Sequence, residues 1–324
     1  MNLKTDQPNR IILDTDMAMG VPGSDIDDGF ALALALAEPA IIVEAVTTVN
    51  GNADVESGSF LSVELLDRLG ASEIPVFQGA AAPLAFPDQR RRAPDAIREQ
   101  FGARLPSAGF AAVELASRVA AAPGQITVVA IGPLTNVAAA MNLDPDFASN
   151  VKEIVIMGGV FRQQTNNARM PGEFNFWIDP EAADAVLRSG AAVRLVGLDV
   201  TLQVQLTKEH AAAMQASDSN FGRFAGEYTL GWIDHLLAKH PGDPHAGVSC
   251  AMHDPLAVAA LTHPELLSWQ DAYVQVVTGP SVARGSVVAD FLGNDSPPTA
   301  NARVAVDVDV DAFLTYFLER ISSV

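Results

Sequence analysis

Arg10-Ile-Ile-Leu-Asp14-Thr-Asp16 decides the fold, and Gly23-Ser-Asp25-Ile-Asp27-Asp28-Gly29 follows it one loop later. The first stretch predicts a buried strand, on which the alternate residues Asp14 and Asp16 point to the same side. Carboxylates crowded at a strand end repel each other unless a cation or shared protons neutralise them. A hard metal ion with oxygen ligands is the simplest remedy, so these aspartates predict a catalytic metal site.

The rest of the chain repeats the order strand, loop, helix. Val/Ile-rich runs predict the strands, and Ala/Leu-rich stretches with helical spacing predict the helices between them. The predicted strands cover residues 11–13, 41–49, 126–131, 154–157 and 193–198, and the predicted helices cover residues 28–37, 57–69, 111–122, 134–141 and 180–187. Strands that are apolar throughout indicate an α/β fold with an open, mostly parallel central sheet flanked by helices. Ligands bind beyond the carboxyl ends of such strands, so we expect the active site there.

The later part of the chain is less regular. The Pro/Arg-rich residues 83–107 predict a long loop, and residues 221–237 predict a helix. Strands are predicted at residues 272–278, 286–291 and 304–308, followed by an amphipathic helix over residues 311–321. The sequence shows no internal repeat and no clear linker, so we expect a single domain that covers residues 1–324.

Composition narrows the class of protein. The formal net charge of −19 argues against a nucleic-acid partner, because phosphate binding needs clustered Lys and Arg. The one short basic run, Arg90-Arg91-Arg92, is more typical of a solvated loop than of a phosphate site. The single cysteine, Cys250, excludes an intramolecular disulfide and suits a reducing compartment. No signal segment follows the polar first ten residues, and Glu38-Pro39 interrupts the most apolar stretch, so we expect a cytoplasmic protein without a membrane span.

Each acidic motif also has a purely structural interpretation. Asp27 and Asp28 could cap a helix and offset its dipole. Asp254, in His253-Asp254-Pro255, could cap a second helix over residues 256–261, and His253 could be a core histidine with satisfied hydrogen bonds. Each motif taken alone is therefore weak evidence for a catalytic site. The combination of motifs has to distinguish a catalytic role from a structural one.

The segment Glu173-Phe-Asn-Phe-Trp177 mixes polar and aromatic residues ahead of a helix start at Asp179-Pro180. If its side chains alternate, Glu173, Asn175 and Trp177 lie on one side and the two phenylalanines on the other. Such a segment could hold a ligand above an apolar anchor, and an ordinary loop is the alternative.

Together these motifs resemble the nucleoside hydrolases of the inosine–uridine-preferring type, whose elements occur here in family order over most of the chain. That family opens with a D-x-D strand, a Gly loop and a D-D pair at a helix start, which here are Asp14-Thr-Asp16 and Asp27-Asp28. The other matching elements are Thr47-Thr-Val-Asn50-Gly-Asn52, Gly132-Pro-Leu-Thr-Asn136, Met157-Gly-Gly159, Glu173-Phe-Asn175 with Ile178-Asp-Pro-Glu-Ala-Ala183, and His253-Asp-Pro255. Each element is weak alone, and their combination is highly specific.

The resemblance implies a Rossmann-like nucleoside hydrolase fold with one Ca²⁺ in the crevice and a nucleoside as substrate. An all-oxygen shell completed by water and ribose hydroxyls is what Ca²⁺ prefers. The implied protein ligands of the ion are Asp16, Asp28, Asp254 and the main-chain carbonyl of Ile131. The residues implied to hold the ribose and its 5′ end are Asp27, Asn52, Asn167, Glu173 and Asn175, with Trp177 as a further substrate contact.

The implied reaction is hydrolysis of the bond between ribose and base, in which positive charge develops on the sugar. Ca²⁺ would lower the pKa of a bound water and fix the ribose diol. Asp16 would accept the proton as general base, its own pKa held down by the ion. His253 is the candidate general acid for the leaving base, because a histidine titrates near neutral pH. The alternatives left open for the leaving base are stacking on Trp177 or Trp232 and proton donation by Tyr228 or His235.

The chain departs from the family pattern between Asp16 and the Asp27-Asp28 pair. The family usually has three residues there, and this chain has ten, residues 17–26. The extra Gly20-Val-Pro-Gly23 predicts a loop that bulges from the crevice floor, and it leaves open whether Asp25 approaches the metal.

Two other functions stay open on the sequence alone. A haloacid-dehalogenase-like, Mg²⁺-dependent phosphatase also ends its first strand in D-x-D, but it needs a lysine near the phosphate, and Lys152 precedes a strand instead of following one. A non-catalytic protein that binds nucleosides or sugars could use the same fold. The sequence does not predict base preference, although residues 221–247 are expected to contact the base. The family tends toward dimers and tetramers, so a homodimer or homotetramer is expected.

Overall fold

The computed structural model describes residues 8–92, 94–293 and 298–324, and its central element is a nine-stranded sheet. The strands are β1 (Asn9–Thr15), β2 (Ile41–Thr48), β3 (Val76–Gln78), β4 (Ile126–Ala130), β5 (Glu153–Met157), β6 (Val193–Val196), β7 (Gln205–Thr207), β8 (Ser249–Ala251), β9 (Leu267–Val276), β10 (Val287–Asp290) and β11 (Ala302–Val308). The sheet has the order β10-β9-β11-β6-β5-β4-β1-β2-β3, and β7 pairs with β8 in a separate antiparallel ribbon. Neighbours in the large sheet are parallel except that β9 runs antiparallel to both β10 and β11. The predicted open, mostly parallel sheet is confirmed.

Helices cover both faces of this sheet. They are α1 (Asp27–Ala37), α2 (Val55–Arg68), α3 (Asp95–Phe101), α4 (Ala111–Ala121), α5 (Thr135–Leu143), α6 (Phe147–Asn150), α7 (Phe174–Ile178), α8 (Pro180–Leu187), α9 (Leu198–Thr201), α10 (Lys208–Gln215), α11 (Asn220–Lys239), α12 (His253–Thr262) and α13 (Val310–Ile321). Two short 3₁₀ turns lie at Pro87–Gln89 and Pro264–Leu266. The predicted helices are present with bounds that differ by at most two residues at their ends, apart from that over residues 256–261, which the structure extends to His253.

The core divides into two layers because successive residues of a strand face opposite sides of the sheet. Ile11 and Leu13 of β1 pack in one layer with α1, α12 and α13, where Phe30 meets Phe317 edge to face. Ile12, between them, packs in the other layer with α4, α5 and α8. A strand buried on both faces must be apolar throughout, which explains why the first stretch of the sequence identifies the fold.

The prediction of a long loop over residues 83–107 is wrong in part, because α3 lies within it. Ile97 and Phe101 of α3 are buried, and the Phe101 ring meets Phe224 of α11 edge to face with centroids 6.1 Å apart. The seven residues of α3 include good helix formers, and tertiary packing stabilises a helix that is too short to be stable alone. The sequence analysis also did not predict β3, the β7–β8 ribbon or α10, which are three to eight residues long.

The structure contains no helix, within the ranges that it describes, with the length and apolar character needed to cross a bilayer.

Candidate active site

The acidic residues meet where the central strand ends. Asp16 follows directly on β1, and two helices begin beside it, α1 with Asp27 and α12 with His253. The carboxylate of Asp27 accepts a hydrogen bond from the main-chain N–H of Asp254 at 3.0 Å, which joins the two helix starts. Carboxylate oxygens of Asp27, Asp28 and Asp254 lie within 4.8 Å of one another, and all three residues are buried. The crevice predicted at the carboxyl ends of the strands therefore holds a cluster that could bind a metal ion.

The loop after β2 holds Asp16 in place. The main-chain N–H of Asn52 donates to Oδ2 of Asp16 at 2.5 Å. Gly51 packs directly against the same carboxylate, so no residue with a side chain would fit there without displacing Asp16. At the end of β1 itself, the Thr15 hydroxyl donates to Oδ1 of Asp28. Each of the two aspartates thus has one oxygen fixed by the protein.

The other oxygen of each aspartate lacks a partner. Among the described residues, Oδ1 of Asp16 and Oδ2 of Asp28 are buried and accept no hydrogen bond. Buried polar atoms are almost always satisfied, so such orphans indicate that a ligand belongs there. Among the described residues the cluster consists of carboxylates, without thiolate or imidazole, which suits a hard cation. The residues present therefore fit the ion that the resemblance implies.

Burial and mutual repulsion also disfavour the charged form of these groups. Burial, with the charges of Asp27 and Glu173 as a smaller cause, raises the pKa of Asp16 to about 7. Burial and the charge of Asp28 raise the pKa of Asp27 to about 7. The pKa values of Asp28 and Asp254 are raised well above the ordinary range, first by burial and then by neighbouring carboxylates. The cluster cannot be fully ionised near neutral pH unless a cation accompanies it.

Asp14 has a different environment from Asp16. Its Oδ1 accepts hydrogen bonds from the Thr47 hydroxyl at 2.6 Å and from Nδ2 of Asn136 at 2.8 Å. Asn136 also donates to the carbonyl of Thr48. Asp14 therefore ties the ends of β1 and β2 to the start of α5 and supports the crevice from behind.

Ile131, the predicted carbonyl ligand, follows β4 and is buried. Its carbonyl accepts a hydrogen bond from Nδ2 of Asn175 at 3.0 Å, and the same amide donates to the carbonyl of Met157 at 3.1 Å. Asn175 thereby links α7 to the ends of β4 and β5. A carbonyl oxygen has two lone pairs, so this bond leaves Ile131 able to accept a second partner.

The predicted alternation of side chains in residues 173–177 is wrong, because α7 makes this segment helical. Glu173 is the N-cap of α7, and its carboxylate accepts hydrogen bonds from the main-chain N–H groups of Asn175, Phe176 and Gly159. Burial raises its pKa to about 7. Trp177 is half-buried, and Gly285 packs closely against its backbone and ring.

No hydrogen bond in the described part of the chain links Asn167 to the other predicted substrate residues. Asn167 lies in an exposed turn, where its Oδ1 accepts a hydrogen bond from the main-chain N–H of Arg169 at 3.0 Å. The neighbouring Asn166 has a φ of 55°, a left-handed conformation that asparagine tolerates better than most residues.

His253 lies at the first position of α12, next to Asp254. Its Nδ1 forms a hydrogen bond with the Thr201 hydroxyl at 2.7 Å, which leaves Nε2 free to act on a ligand. Burial lowers the pKa of His253, and the nearby charge of Asp25 opposes this shift. Burial and the charge of Asp27 raise the pKa of Asp25 to about 8. Asp25 therefore belongs to the electrostatic surroundings of the cluster.

The inserted loop, residues 17–26, packs between the crevice and α11. Gly20 and Gly23 adopt φ values of 125° and 73°, and they contact Phe224 and His235 of α11. The Ser24 hydroxyl donates to the carbonyl of Asn52 at 3.0 Å. Three of the residues left open as base contacts lie on the helix that this loop touches: Tyr228, Trp232 and His235. The ring of Trp232 stacks on that of His235.

The structure adds supporting residues that the sequence analysis did not select. They are Thr15, Thr47, Asn136, Thr201 and Asp179, which accepts hydrogen bonds from Thr135 and from the main chain of Leu84. Thr47 and Asn136 fall within matched family motifs, and those motifs could have identified them as supporting residues. Thr201 has no such signal, because only tertiary structure places it beside His253.

A buried carboxylate cluster at the strand ends of an open, mostly parallel sheet, with a histidine and further polar residues beside it, fits the nucleoside hydrolase class. The sequence model of the family described as inosine-uridine preferring nucleoside hydrolase matches residues 11–315. The chain belongs to this family, and it is a glycosidase that hydrolyses ribonucleosides to ribose and free base. The predicted family, fold and reaction class are confirmed.

Individual relatives agree with this assignment. The non-specific ribonucleoside hydrolase RihC of Salmonella schwarzengrund (strain CVM19633) is 36% identical over 318 residues, which cover 95% of this chain and 96% of that protein. The solved plant nucleoside hydrolase PpNRh1 is similar with a TM-score of 0.85 at 30% identity, covering 98% of this chain and 100% of the other. The solved purine-preferring ribonucleoside hydrolase from Gardnerella vaginalis has a TM-score of 0.83 at 30% identity, with 97% and 98% covered.

Proposed function

We propose that the protein cleaves the ribose–base bond with a water molecule that Asp16 deprotonates, in a site that holds Ca²⁺. The observation that carries this proposal is the pair of buried carboxylate oxygens without partners, Oδ1 of Asp16 and Oδ2 of Asp28, in the described part of the chain. Leaving such atoms unsatisfied costs free energy, and one cation between them would satisfy both.

The residues that would hold the ion are Asp16, Asp28, Asp254 and the carbonyl of Ile131. All four supply oxygen, as Ca²⁺ requires. When bound, Ca²⁺ supplies positive charge that lowers the pKa of nearby water and neutralises the carboxylates. The hydrogen bond from Asn175 to the Ile131 carbonyl supports this set, because it fixes the direction of that carbonyl.

Asp16 is placed to act as general base. Its Oδ2 is fixed by the Asn52 N–H, so Oδ1 is the oxygen available to accept a proton from water. A neighbouring cation lowers the pKa of this carboxylate below its metal-free value of about 7, which keeps it ionised at neutral pH. The sugar develops positive charge as the base leaves, and the surrounding carboxylates stabilise that charge.

Residues of α1, of the loop after β2 and of the start of α7 are proposed to hold the ribose. Oδ2 of Asp27 is engaged by the Asp254 N–H, which leaves Oδ1 for a ribose hydroxyl. Asn52, Glu173 and Asn175 are the other proposed contacts, and Trp177 is proposed to contact the substrate beside them. Asn167 can join them only if its exposed loop closes over the crevice.

His253 is proposed to protonate the leaving base. His253→Ala is expected to lower kcat for inosine by about 10²- to 10⁴-fold, while kcat for p-nitrophenyl riboside falls by less than about threefold. The reason is that p-nitrophenolate can leave as an anion, whereas a nucleobase must be protonated to leave. Steady-state kinetics on the two substrates measure the difference.

The matched control is His263→Ala, at the other end of α12. We expect it to leave the ratio of the two kcat values unchanged. Equal losses on both substrates in His253→Ala would instead indicate a structural role for His253 and direct attention to His235 and Tyr228.

The activity itself is tested by a panel of purine and pyrimidine ribonucleosides with p-nitrophenyl phosphate as a counter-substrate. We expect release of reducing sugar and free base from ribonucleosides, and no release of nitrophenol from the phosphate ester. The phosphatase alternative has little structural support, because Nζ of Lys152 donates to Asn9 at the amino ends of the strands, opposite the carboxylate cluster. Nucleoside binding without turnover would favour the non-catalytic alternative.

Three further expectations belong to this proposal. The chain acts as one domain, it serves nucleoside salvage, and it assembles as a homodimer or homotetramer. The contact of the inserted loop with α11 suggests that base preference is set there, because both elements meet beside the crevice.

A further inference from the structure

A basic cavity borders the active site at the β3 edge of the sheet. Its volume is about 400 Å³, and it lies where β3 ends and α2 begins. Its lining includes Gln78, Asp54 and Glu56, together with four arginines: Arg90, Arg91, Arg92 and Arg98. In a chain with 20 lysines and arginines and a net charge of −19, four arginines around one cavity reverse the local sign of charge.

The acidic residues of the cavity do not balance these arginines. Glu56 pairs with Arg98, with Nη2 and Oε2 2.6 Å apart. The carboxylate of Asp54 caps α2 and accepts the main-chain N–H groups of Glu56 and Ser57. Within residues 8–92, 94–293 and 298–324, the side chains of Arg90 and Arg92 have neither a hydrogen bond nor an ion pair. The cavity therefore carries an excess of positive charge.

Arg91 connects the cavity to the catalytic site. Its main-chain N–H donates to Oδ1 of Asn50 at 2.8 Å, and its Nη1 donates to the carbonyl of Asn52 at 2.5 Å. The N–H of the same Asn52 donates to Asp16. Only one residue therefore separates the Arg91 guanidinium from the proposed general base. The amide Nδ2 of Asn50 is buried and has no partner in the described ranges, which leaves a free donor beside Arg91.

We propose that this cavity binds a phosphate group, and that its occupancy slows nucleoside hydrolysis through Arg91. Guanidinium groups match phosphate oxygens with paired, charge-assisted hydrogen bonds, and the side chains of Arg90 and Arg92 donate to no group in the described part of the chain. A phosphate bound in the cavity competes with the Asn52 carbonyl for the Arg91 guanidinium. The loop that positions Asp16 then loses its hydrogen bond from Arg91. The inhibition rests on the proposed function, whereas phosphate binding does not.

The sequence favoured a solvated loop for Arg90-Arg91-Arg92 because a basic run alone does not show what it faces. The structure changes this interpretation in two respects. It brings Arg98 of α3 to the same cavity from beyond the run, and it ties Arg91 to the loop that holds Asp16. A random solvated run would have neither relation.

Binding is tested first without reference to activity. The full chain, freed of metal and then of chelator, is titrated calorimetrically with inorganic phosphate, ribose 5-phosphate and a nucleoside 5′-monophosphate at constant ionic strength. We expect saturable binding that the double variant Arg90→Gln/Arg92→Gln weakens by at least about tenfold, because two charge-assisted contacts are lost. The control Arg188→Gln removes an arginine whose side chain is 73% exposed and pairs with Asp184, and it should leave the affinity unchanged. The ligand that binds with the highest affinity identifies whether free phosphate or a phosphorylated sugar occupies the cavity.

Inhibition is tested second, with potassium phosphate compared with potassium chloride at equal ionic strength. We expect phosphate to lower kcat/KM for inosine in the parent and in Arg188→Gln, and to have at least about tenfold weaker potency in the double variant. Absence of phosphate binding, or equal binding by the double variant, would overturn the proposal. Equal inhibition of the double variant would show that phosphate merely removes Ca²⁺, and would also overturn it. If phosphate binds but nucleosides are not hydrolysed, the proposed function fails and the phosphate site stands.

Discussion

Asp16→Asn is expected to lower kcat for ribonucleoside hydrolysis by about two to four orders of magnitude, the usual contribution of a positioned general base. Asparagine has nearly the same size as aspartate, and its amide oxygen can still accept the Asn52 N–H, so Gly51 and the loop after β2 should keep their positions. What the variant loses is the atom that accepts a proton. The measurements are kcat, KM and Ca²⁺ affinity.

Two further variants separate the roles of Asp16. Asp28→Asn removes a proposed ligand that is not a base, so raised Ca²⁺ concentrations should restore much of its activity. The same concentrations should restore little in Asp16→Asn, because saturating the ion does not replace the base. Asp146→Asn, an exposed aspartate beyond α5, is the matched control and should behave as the parent. Unchanged turnover in Asp16→Asn would refute the proposed base.

Removal of metal is expected to have the second large effect, a loss of nearly all ribonucleoside turnover that is restored by added Ca²⁺. Without the cation, no ion lowers the pKa of the attacking water or fixes the ribose diol, and part of the carboxylate cluster takes up protons. The assay measures turnover at pH 7.5 to 8 before chelation, after chelation, and after readdition of Ca²⁺ or Mg²⁺. Full turnover in chelator would contradict the proposed metal.

The same removal should make stability depend on pH with a defined sign. Burial raises the pKa values of Asp16 and Asp27 from 3.8 to about 7 and that of Glu173 from 4.5 to about 7. The folded, metal-free protein therefore binds more protons than the unfolded chain between these limits. Its stability is greatest at the acid end and falls as the pH rises through about 7.

Bound Ca²⁺ should remove this loss, so the stabilisation that it confers should increase with pH. At 100 times its Kd, a ligand that binds only the folded state adds about 2.7 kcal/mol to the free energy of unfolding. Thermal unfolding at pH 5 and pH 8, with and without Ca²⁺, provides the comparison. A larger Ca²⁺ effect at pH 5 than at pH 8 would show that the buried carboxylates are not the binding groups.

The central part of the fold could be predicted because burial of a strand on both faces requires an unbroken run of apolar residues. β1, β2, β4 and β5 are buried on both faces, and their apolar runs state this directly. The aspartates that end β1 and open α1 were likewise predictable as a site, since carboxylates in such a place need compensation. Their assembly at one crevice follows from the rule that parallel strands end together.

Other parts depend on tertiary contacts that local sequence does not report. The helix α3 is stabilised by its packing on α11, and α7 is helical although its alternation of polar and aromatic residues suggested otherwise. Thr201 is placed beside His253 by α9, a four-residue helix that has no motif. The inserted loop could be predicted as a loop from its glycines, but its packing on His235 could not.

The hydrogen bond between Asp254 and Asp27 affects when the site can form during synthesis and folding of the enzyme. It joins residues that are 227 positions apart, so the site closes only after most of the chain has been synthesised. Non-local contacts of this kind form late in folding, because the chain between them must be ordered first. A growing chain that has not reached Asp254 therefore lacks part of the carboxylate cluster, and we expect it to have no hydrolytic activity.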